Sequence, residues 1–126
     1  MFDNRSISVM AYNLETILAE KLETVLSREI ANTRQRDLYD IYILGALRSE
    51  EYELSILKHA LTETTNRRGS VYVLKQYREI VYAIQASREQ RGFWEKYRKD
   101  YNYAEGIPFE DICNTLLVLM DSIVNT

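Results

Sequence analysis

Turn-making residues are scarce in this chain, with four glycines and one proline in 126 residues. That is too little for the many tight turns of an all-β domain, so a mainly α fold is expected. Cysteine and histidine occur once each. An internal disulfide is therefore excluded, and His59 has no Cys or second His with which to build a metal site. The lone Cys113 suits a reducing compartment, and the N-terminal MFDNRSIS has no apolar signal core, so a cytoplasmic location is expected. No run of about 18 apolar residues is present, and no segment is expected to cross a membrane. Basic residues are not in excess: the net charge is −3 and the pI near 5.2. Binding to nucleic acid through bulk charge is disfavoured, which leaves only a local basic patch. There is no Walker loop, no G-x-S-x-G and no glycine-rich dinucleotide turn.

What is present is ordinary globular material, 46% apolar and 28% charged, enough for a single core in one domain spanning residues 1–126. The loose alternation of Ile7, Val9 and Ala11 predicts a short strand over 6–12. Asn13 then reads as the N-cap of a helix from Leu14 to about Ile30. ANTRQR (31–36) is a polar connection. The next helix, about Arg36 to Arg48, is apolar nearly all round (Leu38, Tyr39, Ile41, Tyr42, Ile43, Leu44, Leu47) and is expected to be central and buried. Ser49 with Glu50 and Glu51 starts a helix to about Thr64, NRRGS (66–70) breaks it, and another helix follows from Val71. Ser87–Tyr101 is a charged segment anchored by Phe93, Trp94 and Tyr97. After Pro108 a last helix buries Phe109, Ile112, Cys113, Leu116, Leu119, Met120 and Ile123. The expected architecture is a bundle of about five to six helices with a short N-terminal strand. Ten tyrosines against three phenylalanines read first as half-buried rings with wet hydroxyls, and base stacking is the sharper alternative.

Two features do not fit a plain helical core. On a wheel of about 100° per residue with Leu14 at zero, Val25, Leu18 and Leu22 fall at about 20°, 40° and 80° and Ile17 at about 300°. Lys21, at about 340°, lies among them. Its neighbours at i±3 and i±4 are Ile17, Leu18, Thr24 and Val25, so no carboxylate on its own helix can pair with it. Either it snorkels to water, or its counter-charge comes from elsewhere in the fold or from a ligand. Asp37 and Asp40 share one face at the start of the apolar helix, where their carboxylates can converge on one cation or cap the helix. Arg28, Arg34 and Arg36 add cations that would bind phosphates or neutralise the aspartates. His59 reads as a helix-surface residue, and no arginine lies four to six residues before it, so the R-x(4–6)-H pattern of helical toxin ribonucleases is absent. Cys113 reads as an inert core thiol.

Ala19-Glu20-Lys21-Leu22 on a helix, then Arg34, Arg36-Asp37 and Tyr39-Asp40 entering a hydrophobic helix, resembles the AbiEii/AbiGii toxin family of nucleotidyltransferases. The detailed match runs from Met1 to about Gly45. The resemblance implies a polymerase-β-like nucleotidyltransferase lobe followed by a helical lobe, in the toxin of a type IV toxin–antitoxin or abortive phage infection system. It implies nucleotide transfer from an NTP, with Mg²⁺, onto an acceptor such as RNA, and a cognate antitoxin as partner. Lys21 then matches the motif lysine that contacts nucleotide phosphates, and Asp37 is the first match for the aspartate of the last motif, with Asp40 close behind; Arg28, Arg34 and Arg36 beside them are the further phosphate-binding candidates. The glycine-serine turn and the metal-binding D-x-D that precede these motifs in the family are missing, and Asp3 stands alone. On that ground no metal ligands are assigned. The chain is expected to be the C-terminal helical portion of such a toxin, inactive by itself and without tight binding of Mg²⁺ or NTP. The competing reading is a non-catalytic helical module that binds an antitoxin or self-associates through the edge of residues 6–12.

Overall fold

The computed structural model describes the backbone from Asn4 to Thr126 and the side chains from Leu14 onward. Six α-helices follow one another: α1 (Asn4–Arg28), α2 (Gln35–Tyr42), α3 (Leu54–Arg68), α4 (Val73–Ala86), α5 (Arg88–Asp100) and α6 (Phe109–Val124). No strand occurs among the described residues, so the mainly α expectation holds.

The strand expected over residues 6–12 is not there, because this stretch is the opening of α1. A lone strand has no partner for its backbone N–H and C=O groups, whereas a helix satisfies them internally. Asn13 is accordingly inside a helix rather than at its N-cap, and the strand edge invoked for self-association is lost. Asp3 lies outside the described residues.

The core forms where α1 packs along α3 and against α2, and where α4 lies along α6. In α6 all seven apolar residues expected at the core are buried, a stripe of i, i+3, i+4 and i+7 spacing. The buried face of α1 consists of Leu18, Ala19, Leu22, Val25 and Leu26, while Ile17 is exposed. On the wheel used above, that face runs from about 20° to 140°, which puts Lys21 at its border rather than in its middle.

The second helix also departs from expectation. α2 stops at Tyr42 and widens into a π-helical turn over Ile43–Leu47. Leu38 and Ile41 are buried, Tyr39, Tyr42 and Leu44 are only partly covered, and Leu47 is exposed. Gly45 sits so close to α6 that a Cβ there would lie 2.8 Å from Leu119 Cδ2. Its carbonyl accepts the Tyr52 hydroxyl at 2.9 Å. Ser49–Glu51 is a separate 3₁₀ turn before α3. In α5, Trp94 is fully buried and donates its indole N–H to the Ile107 carbonyl at 2.8 Å, whereas Phe93 is exposed.

Three local devices set the geometry of the N-terminal half. α1 is broken by Glu29, the one described non-glycine residue at positive φ (54°). The connection that follows is clamped from α5, where the Gln90 amide donates to the carbonyls of Ile30 (2.9 Å) and Asn32 (2.5 Å). α3 ends in a Schellman turn, with Gly69 at φ 71°, Ser70 N–H donating to the Thr65 carbonyl at 2.9 Å and Gly69 N–H to that of Asn66 at 3.4 Å.

Candidate functional site

The clamped connection delivers the first turn of α2 against the border of α1, and Lys21 meets both aspartates there. Its ammonium donates to Asp37 Oδ1 at 3.2 Å and ion-pairs with Asp40 Oδ2 at 2.9 Å. The remaining oxygens face arginines: Arg34 Nε lies 3.2 Å from Asp37 Oδ2, and Arg36 Nε lies 3.3 Å from Asp40 Oδ1. The Asp37 side chain is 4% exposed and that of Lys21 24%. A carboxylate that deep needs its cations, so these are not casual surface pairs.

Burial alone would lower the Lys21 pKa, but the hydrogen bonds and charges of Asp40 and Asp37 outweigh it and hold it above its ordinary 10.5. The lysine is therefore fully cationic at neutral pH.

Lys21 opens onto a cleft of about 280 Å³ lined by Ile17, Glu20, Thr24, Arg34, Asp37 and Arg68 as well. Arg68, from the NRRGS break, is built into this wall. One Nη donates to Glu23 Oε1 at 2.6 Å and the other to Glu20 Oε2 at 3.2 Å. Glu23 is buried and also accepts Ser70 Oγ at 2.7 Å. Sequence reasoning missed this pair because its members are 45 residues apart. The only local signals were an acidic residue beside the apolar face of α1 and an arginine just before Gly69.

The other sequence-stated groups divide clearly. Arg34 and Arg36 flank the aspartates, whereas Arg28 is exposed two turns beyond Lys21 and does not line the cleft. His59 is on the surface beside Glu63, 3.2 Å away. Cys113 is buried in α6, and burial pushes its thiol up to about 12.

Two other hollows are larger. One of about 390 Å³, between Gly45, Tyr52, Leu54 and Val118, has no charged side chain in its wall. The other, about 420 Å³, is lined by Glu95, Arg98, Lys99, Asn102 and Glu105. Neither contains a cation held between two carboxylates, so the smaller cleft has the stronger claim to chemistry.

A divalent cation does not fit Asp37 and Asp40 as they stand. Each of their four oxygens is within 3.3 Å of a lysine or arginine nitrogen. Among the described residues, no group of three or more His, Cys, Asp or Glu side chains is placed to hold a metal. What the arrangement can do is present a fixed ammonium, with Arg34 and Arg68 beside it, to an anion entering the cleft.

Among the described residues no helix is long and apolar enough to cross a membrane. A family model described as "Nucleotidyl transferase AbiEii toxin, Type IV TA system" matches residues 1–112. No curated protein and no solved structure matches the chain.

Proposed function

This chain belongs to the AbiEii family of nucleotidyl transferase toxins of type IV toxin–antitoxin systems, and from that premise we propose that the Lys21 cleft receives the phosphates of an NTP. The carrying observation is Lys21 Nζ fixed between Asp37 Oδ1 and Asp40 Oδ2 at the mouth of the cleft. Lys21 touches the phosphates, and Arg34 and Arg68 offer further N–H donors from the same walls. Asp37 and Asp40 act through Lys21 and are positioning residues: they hold its ammonium in place, so little side-chain entropy is lost when the anion arrives. The reaction class is transfer of a nucleotide from an NTP to an acceptor hydroxyl with pyrophosphate leaving, and RNA is the proposed acceptor. An antitoxin is the proposed partner, and defence against phage the proposed setting.

The chain on its own binds nucleotide weakly and does not turn it over. Phosphoryl transfer needs charge neutralisation at the attacking and leaving oxygens. Here the carboxylates of Asp37 and Asp40 are committed to Lys21, Arg34 and Arg36. The family's Mg²⁺ therefore has no place on these two side chains, and no step is drawn through it.

Calorimetric titration with each NTP at low salt tests the reading. Wild-type chain is expected to bind at least one NTP, and Lys21→Ala to weaken that binding tenfold or more while keeping its helical circular dichroism. Equal binding by a folded Lys21→Ala variant would sink the proposal.

A further inference from the structure

Three tyrosines at the end of α5 and just beyond it, Tyr97, Tyr101 and Tyr103, meet Tyr39 of α2. Tyr39 of α2 lies 4.6 Å from Tyr103 and 6.4 Å from Tyr97, ring centre to ring centre. Tyr97 and Tyr101 are 4.7 Å apart, and Tyr101 and Tyr103 5.4 Å. The group is backed by the buried Trp94, stacked on Tyr97 at 5.4 Å, and stiffened by a 2.7 Å hydrogen bond between the Tyr97 and Tyr103 hydroxyls. Core packing does not account for all of it, since Tyr101 and Tyr103 remain 45% and 47% exposed.

The patch is continuous with the Lys21 cleft. Asp40 binds both Lys21 and Arg36, and Arg36 lies one turn before Tyr39, at i and i+3 on the same side of α2. On the other side, Arg98, Lys99 and Asn102 line a hollow of about 420 Å³. Three nearby acids are paired, Glu95 with Arg98 at 2.9 Å, Asp100 with Lys96 at 3.1 Å and Asp40 with Lys21 and Arg36, while Glu105 shares the hollow with Lys99. Lys99 has no ion-pair partner among the described residues.

We propose that Tyr101 and Tyr103, flanked by Arg36 and Lys99, form a stacking platform for the unpaired bases of a single-stranded nucleic acid whose end is led toward the Lys21 cleft. Exposed aromatic faces bind bases of any sequence, and neighbouring cations follow the phosphates, which is the chemistry of single-strand recognition. A duplex keeps its base faces covered and has nothing to offer these rings. The platform deepens the nucleotide-transfer reading by assigning the place and strandedness of the acceptor, and it rests on that reading for direction along the strand.

The test is fluorescence anisotropy of a labelled twelve-residue oligoribonucleotide, its deoxy counterpart and the matching duplexes, titrated with the full chain at low salt. Single strands are expected to bind at least about tenfold tighter than duplexes, and Tyr101→Ala and Tyr103→Ala each to weaken them about tenfold. Preference between the two single strands tells RNA from DNA. Tyr103→Trp keeps a stacking face and adds a reporter: its emission should be quenched by single strand, which guards against poor folding of the alanine variants. Equal affinity for duplex, alanine variants that bind like wild type, or an unquenched Tyr103→Trp would each overturn the platform. Lys21→Ala separates the two readings. Intact oligonucleotide binding with unchanged NTP binding would count against the cleft and leave the platform standing.

Discussion

Lys21 and Asp37, sixteen residues apart on two helices, meet at 3.2 Å, and the lysine is the cation that allows that carboxylate to be buried. Removing Lys21 leaves Asp37 with Arg34 alone, whose side chain is largely in water. Because Lys21 is itself partly exposed, solvent screening reduces the loss. Lys21→Ala is expected to lower unfolding stability by about 1–2 kcal/mol. Asp37→Asn placed on top of it should recover part of that. Urea unfolding of the two singles and the double would show non-additivity, and strictly additive losses would deny the pairing.

The same pair fixes a sign for the pH dependence. Lys21 has a folded pKa above its unfolded value of 10.5. Its contribution is thus fully present below 10.5 and lost as the pH rises through the folded value. Other groups titrate in that range too, so the measurement is the difference in urea midpoint between wild type and Lys21→Met, from neutral pH upward. The difference should stay flat to about 10.5 and then shrink. A difference that grows with pH would contradict the arrangement.

Arg68 lines the cleft, and its ion pair with the buried Glu23 pins the end of α3 to α1. Arg68→Ala strands a buried carboxylate that retains only Ser70 Oγ, and is expected to cost about 1–3 kcal/mol. Glu23→Gln in the same chain should return a substantial part, since a neutral amide tolerates burial better. Thermal unfolding of the three variants checks this. A single Arg68→Ala without effect would show that the contact adds nothing.

Glu29 holds the turn that aims α2 at α1 in a left-handed conformation that costs an L-residue about 1–2 kcal/mol. Glycine adopts that conformation freely but loses more backbone entropy on folding, so Glu29→Gly is expected to stabilise by roughly 0.5–1 kcal/mol. A lower melting temperature for Glu29→Gly would mean that the side chain makes a contribution the geometry does not reveal.

The parts of this fold that the sequence announced are those governed by local repetition. Phe109 to Ile123 repeat at helical spacing, and all seven land in the core. Lys21 was legible for a different reason: an apolar surround with no acid at i±3 or i±4 forces a partner from another helix, and Asp37 and Asp40 are that partner. Residues 6–12 misled because alternation over seven positions is weak beside the need of every backbone group for a partner, which helix α1 meets. The fully buried α2 failed since Tyr39 and Tyr42 cover apolar neighbours while staying partly in solvent. Arg68 with Glu23, and Tyr39 with Tyr103, were out of reach because both contacts exist only after separate helices have docked.

The ammonium of Lys21 is the proposed contact point for nucleotide phosphate. The most direct measurement is the side-chain ¹H–¹⁵N resonance of that ammonium, assigned by its disappearance in Lys21→Arg, during titration with ATP. Held by Asp37 and Asp40, it should be visible without ligand and should shift saturably as triphosphate is added. A resonance that stays in place at saturating ATP would rule out phosphate contact at Lys21.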